Sequence, residues 1–179
     1  MHSASDLASL LNWSGDGAVG LSWEQVEASL PWRFPESFKD FSSTFPSGEL
    51  GERVYFVSPV GSEESLQTFK ATAELAFERF TSGRDTLPDY FPHRFHPESG
   101  GLILWATGDD HCYFWDPRSS ASPDDWEIVF LENTGPRWGS YKGTVIDFFW
   151  DLIVGDFEHE ALYSDWAQAE RVFTPYDFH

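Results

Sequence analysis

Two adjacent glycines followed by five apolar residues, Gly100-Gly101-Leu102-Ile103-Leu104-Trp105-Ala106, restrict this chain more than any other stretch. A strand with one wet face alternates polar and apolar residues. An unbroken apolar run with turn residues at each end therefore predicts a strand covered on both faces, at the centre of a sheet. Gly108-Asp109-Asp110-His111 then offers turn chemistry, and Cys112-Tyr113-Phe114-Trp115-Asp116 can pair back antiparallel, giving a hairpin with a four-residue connection. The glycines open a strand instead of leading from one into a helix, which is the wrong order for a phosphate loop. Their expected role is backbone geometry: one turns the chain at positive φ and the other permits close packing.

The rest of the chain supplies elements to cover that strand. Ser5 to Leu11 predicts a short helix with Leu7, Leu10 and Leu11 on one face. Ser22-Trp23-Glu24-Gln25 is a capping box that starts a second helix, stopped by Pro31. Phe34 to Phe41 restarts as helix with Pro35 in the first turn and Phe38, Phe41 and Phe45 on one side, ended by Pro46-Ser47-Gly48. Val54 to Val57 predicts a short strand. Glu63 to Phe80 carries the longest helical pattern, with Thr81-Ser82-Gly83 expected to close it and a proline-punctuated irregular segment from Arg84 to Pro97. Trp126 to Leu131 predicts a third sheet strand, Trp138 to Tyr141 an edge strand, and Val145 to Ile153 a helix between a Thr144 cap and a terminal Gly155. The expected architecture is a single α+β domain over residues 1–179 with a mostly antiparallel central sheet packed by helices. Its core spans about residues 21–157, and residues 158–179 form an acidic C-terminal tail that either wraps the domain through Leu162, Trp166, Phe173 and Tyr176 or stays loose.

Charge and aromatic content bound the function. Eleven Lys+Arg against thirty Asp+Glu give a net charge of -19, which repels nucleic-acid phosphates and anionic lipid and favours a basic protein partner. No run reaches membrane-spanning length and the first residues lack the pattern of a secretory signal, so the expected compartment is the cytoplasm. Aromatic residues make up 18% of the chain, enough to build a core from few positions.

Candidate chemistry is thin. His93 and His96, with Asp109, Asp110, His111 and Cys112, include good zinc ligands, but they fall in a proline-rich segment and a turn, where solvated loop residues are the simpler reading. Asp109-Asp110 and Asp124-Asp125 are adjacent in turns, which suits turn formation better than acid catalysis. Ser37, Ser99 and Ser140 lack a nucleophile elbow, and Cys112 lies in a strand with no base beside it. No catalytic residue, cofactor or metal is assigned.

Four stretches in order resemble the SUKH superfamily, which joins fungal regulators of cell-wall synthesis with bacterial immunity proteins. Trp23 to Leu30 with Phe34 to Phe41 is similar to its opening "helix, Leu-Pro, helix" signature, although Phe34 stands where Leu is usual. Phe95-His96-Pro97-Glu98-Ser99-Gly100-Gly101-Leu102-Ile103-Leu104-Trp105 resembles its Pro-x-x-Gly-Gly-Leu motif, with Pro97, Gly100, Gly101, Leu102 and Trp105 as structural positions. Tyr113 to Asp116 with Asp124 to Val129 is similar to its paired strands, and Thr144 to Gly155 to its closing helix. The resemblance implies a non-enzymatic protein-binding domain that neutralises a toxin, often a nuclease. A nuclease must carry positive charge, so the acidic turns at Asp109, Asp110, Asp116, Asp124 and Asp125 are the expected contact residues, provided they converge. The alternative is a cytosolic regulatory or scaffold domain that binds through exposed Trp13, Trp138 or Trp166 and has no toxin partner; an enzyme ranks third.

Overall fold

The computed structural model describes residues 1–176, so the end of the acidic tail, Asp177 to His179, lies outside the described residues. Among the described residues five α-helices form: α1 (Ala4–Leu10), α2 (Trp23–Ala28), α3 (Glu36–Thr44), α4 (Glu63–Thr86) and α5 (Val145–Val154). Seven strands, β1 (Gly48–Leu50), β2 (Val54–Phe56), β3 (Ile103–Thr107), β4 (His111–Asp116), β5 (Glu127–Glu132), β6 (Arg137–Tyr141) and β7 (Phe173–Pro175), make one sheet in the order β6-β5-β4-β3-β2-β1-β7. Every neighbouring pair is antiparallel, which gives the expected α+β architecture.

The doubly covered strand β3 is the middle strand of the seven. On one face Ile103 and Trp105 pack into the cluster built by α1, α3 and α5. On the other, Leu104 meets Ala73, Phe77 and Phe80 of α4. β4 and β5 alternate in step, Tyr113, Trp115, Ile128 and Phe130 to the first face, and Cys112, Phe114, Val129 and Leu131 to the second. The pairing of β3 with β4 slips between Leu104 and Ala106, so Trp105 is an extra residue and lies on the same face as Ala106. That bulge sets the Trp105 ring parallel to Trp115 at 5.6 Å and edge-on to Phe149 at 5.8 Å. The strand is offset by one residue from the apolar run, because Leu102 instead bridges Phe95 in parallel. The hairpin connection is three residues, Gly108 to Asp110, and not four, since His111 already pairs with Glu132.

Helix signals held where caps were readable. Ser22 and Gln25 form the reciprocal box at α2, Thr144 accepts from the Asp147 N–H at α5, and Gly155 ends α5 at φ 83°. The end of α4 differs from expectation. α4 continues through Thr81-Ser82-Gly83 to Thr86: a side chain on Gly83 would press on the Phe91 ring at 3.1 Å, so glycine there accommodates packing, and Arg84 anchors the last turn to Glu98 at 2.6 Å. The tail wraps the domain. Ala161, Leu162 and Trp166 are buried, Arg53 joins Asp165 at 2.7 Å and lies over the Tyr163 ring, and β7 pairs with β1, a strand that local sequence did not announce.

Candidate functional site

The five acidic turn residues do not converge. Consecutive turns of an antiparallel meander alternate ends. Asp109 and Asp110 therefore sit at one end of β4 and Asp116, Asp124 and Asp125 at the other, separated by a six-residue strand of roughly 20 Å. Most are used by the fold. Asp109 accepts the Tyr55 hydroxyl at 2.8 Å and pushes that phenol up to about 12. Asp116 holds Arg118 through Nε and Nη2. Asp124 accepts the Glu36 N–H at 2.5 Å, supplying the cap that α3 lacks from its own Pro35. The carboxylates of Asp110 and Asp125 have no such partner among the described residues.

The histidines and the cysteine are likewise not brought together: among the described residues no three His, Cys, Asp or Glu side chains are placed to hold a metal ion. His93 packs against Trp138, His96 against Trp32, and His111, 4% exposed, against Tyr163 at 4.2 Å. Burial holds the pKa of all three below the ordinary imidazole range. Cys112 is buried, which pushes its thiol up and away from thiolate reactivity, and it accepts from Asn133 Nδ2 at 3.7 Å.

The glycine motif shapes the surface as well as the strand. His96-Pro97 is a cis peptide, and Gly101 donates to the Glu98 carbonyl at 2.8 Å to close the turn. Gly100 has φ 70°, and a Cβ on Gly101 would stand 2.2 Å from the Phe95 carbonyl carbon. Both roles assigned to the pair, a positive φ and a close approach, are therefore present. Leu102 donates to the Arg94 carbonyl at 2.8 Å and accepts from the His96 N–H at 3.1 Å, which fixes the turn against β3.

This turn walls a groove of about 1240 Å³ whose other sides are α2, the Leu30–Arg33 segment and the β4–β5 loop. Three half-buried tryptophans, Trp23, Trp32 and Trp126, line it. Trp32 stands edge-on to Phe77 and His96, and its indole Nε1 is buried without an acceptor. Lys39 lies 5.9 Å over the Trp23 ring between Glu27 and Glu36. Burial works against its charge, but the two carboxylates outweigh it and raise its pKa.

On the far side of His96 and Pro97 a second cleft, about 630 Å³, is lined by Glu74, Phe77, Glu78, Thr81, Ser82 and Asp85 of α4. The three carboxylates are exposed, share one helix face, and enter no ion pair among the described residues. Sequence reasoning passed over them. The available signal was Glu74 and Glu78 at i and i+4, a like-charge pair that disfavours a helix by a few tenths of a kcal/mol. Asp85, Thr81 and Ser82 join the cleft only because α4 outruns its expected end. The two cavities share His96 and Pro97, which stand between them.

The alternative anchors are committed to the fold: Trp166 is 3% exposed, Trp13 donates to the Thr44 carbonyl, and Trp138 donates to the Tyr90 carbonyl. No described helix is long and apolar enough to cross a membrane. Comparison with protein-family models finds no match to the chain, and no curated protein and no solved structure matches it.

Proposed function

We propose that the chain is a cytoplasmic, non-enzymatic protein-binding domain of SUKH type that acts as an immunity protein, neutralising a basic, nuclease-like toxin. The observation that carries this reading is the run of unpaired carboxylates, Glu74, Glu78 and Asp85, opening onto a cleft that shares His96 and Pro97 with the tryptophan-lined groove. Among the described residues no ion pair engages these carboxylates. A lysine or arginine of a partner gives each a charge-assisted hydrogen bond, while its aliphatic stem covers Phe77 and Pro97. The molecule's charge of -19 draws such a partner in from a distance. The glycine turn that completes the central strand thereby also forms the wall between the two halves of the docking surface.

The test is titration of the protein into the catalytic domain of a basic nuclease toxin encoded beside it, reading residual nuclease activity. Wild type is expected to inhibit, and the Glu74→Gln/Glu78→Gln/Asp85→Asn variant to bind about tenfold more weakly or worse. Asp109→Asn, at the opposite end of β4 from Asp116, serves as the control that leaves inhibition intact. Equal inhibition by the triple variant would remove the cleft from the account.

A further inference from the structure

The sheet is joined across β2 and β3 at a single register pair, Tyr55 opposite Thr107. The next pair would set Phe56 opposite Ala106, but the bulge has already turned Trp105 and Ala106 to the same face, and the ladder stops there. A cavity of about 110 Å³ lies at this seam, between the two strands and α4. Its buried wall is Phe56, Phe69, Ala73, Leu104, Trp105 and Ala106, none more than 5% exposed. It reaches the surface at the exposed Thr72 and the half-buried Thr107.

The wall selects the occupant. Its side chains are all aromatic or aliphatic, and one polar atom among them is left over: Trp105 Nε1 is buried and has no partner among the described residues. Water is a poor filling, because each buried water needs about two to four polar partners and these side chains offer a single N–H. An apolar molecule suits the wall, and a somewhat larger apolar cavity, about 150 Å³, takes benzene. A pure hydrocarbon, however, leaves the indole donor unsatisfied at the cost of a lost hydrogen bond. We propose that the seam is a binding site for a small ketone or alcohol of about six heavy atoms, its hydrocarbon part against Phe56, Phe69 and Leu104 and its oxygen accepting from the Trp105 indole N–H. The site shares no lining residue with the acidic cleft or the tryptophan-lined groove, so it stands independently of the docking surface.

The experiment is a titration of the isotope-labelled protein with cyclopentanone, following the tryptophan indole N–H resonances by NMR; the resonance missing from Trp105→Phe belongs to Trp105. In wild type that resonance is expected to shift saturably, and Tm to rise with ketone concentration. Cyclopentane, which suits the same wall but brings no acceptor, should bind roughly three- to tenfold more weakly, and Trp105→Phe should bind the two alike. Ala73→Leu, which extends a side chain from α4 into the cavity, should abolish the response. The cyclopentane comparison uses the unaltered protein, so the proposal stays falsifiable if either variant does not fold. A wild-type Trp105 resonance that fails to respond to the ketone overturns the proposal. So does a response unchanged in Ala73→Leu, which would place the ligand elsewhere. Cyclopentane binding as tightly as cyclopentanone is the third overturning result, since the indole would then play no part.

Discussion

Replacing Gly101 with alanine should unfold this protein more readily than replacing Gly100, although Gly100 is the residue with the left-handed backbone. A Cβ on Gly101 would stand 2.2 Å from the Phe95 carbonyl carbon and 2.5 Å from the His96 nitrogen, and both are backbone atoms that no rotamer change can move. To reach ordinary contact the Arg94–His96 segment must part from the strand by about 1 Å, breaking the two hydrogen bonds of Leu102 in a buried setting. Two buried backbone groups left short cost about 1–3 kcal/mol each. Forced overpacking adds about 1 kcal/mol or more, and the smaller unfolded-state entropy of alanine returns less than about 1 kcal/mol. The sum is about 2–6 kcal/mol, or a fall in Tm of roughly 4–8 °C at the lower figure for a chain of this size. Alanine at Gly100, φ 70°, costs about 1–2 kcal/mol of left-handed strain. Its Cβ meets only the Arg118 side chain, at 2.8 Å, and that chain is half exposed and can swing aside. Urea unfolding followed by tryptophan fluorescence measures both variants. A Gly101→Ala midpoint near wild type, or a Gly100→Ala loss larger than that of Gly101→Ala, would refute the close-approach argument.

Tyr113 is fully buried and its hydroxyl has no partner, so Tyr113→Phe should raise stability by about 1 kcal/mol, seen as a Tm higher by a few degrees; a lower Tm would mean the hydroxyl is satisfied in solution. His111 is buried, and its pKa is held below the ordinary range by burial, against the pull of Glu132, Asp110 and the Ala161 backbone and with help from Arg137. The neutral folded form is therefore favoured: this contribution is complete above about pH 6.5 and is lost as the pH falls through the folded-state value, because the unfolded chain takes up a proton that the folded one resists. Acidification also relieves the repulsion of a -19 chain, so the informative quantity is the difference between proteins. Between pH 7.5 and 5.5, His111→Phe should lose less stability than wild type in urea unfolding; parallel losses would show that His111 is not the responsive group.

The legible parts of the fold were those written in local chemistry. The Leu102–Ala106 run fixed β3 as central because no half-wet strand carries five apolar residues in a row, and the glycine pair before it told of a positive φ and a close approach. α5 announced itself through Thr144, its apolar stripe and Gly155. β1 and β7 could not be seen: each is three residues long, and they exist only because Gly48–Leu50 and Phe173–Pro175 meet across most of the chain. The end of α4 was misread because Gly83 serves the packing of Phe91 there, while Arg84 and Glu98 stabilise a turn that propensity alone disfavours. The site was missed for a related reason. Acids in turns draw the eye, yet Asp109, Asp116 and Asp124 each hold a neighbouring group in place, whereas Glu74, Glu78 and Asp85, which line one cleft, lie along a helix.

The association rate with a basic toxin domain, measured by stopped flow across a salt series, tests the central claim most directly. Raising ionic strength from about 0.01 M to about 1 M shortens the screening length from about 30 Å to about 3 Å. If unpaired carboxylates draw the partner into the cleft, the rate falls steeply across that range, and it falls less in the Glu74→Gln/Glu78→Gln/Asp85→Asn variant. A wild-type rate that ignores ionic strength would contradict the account.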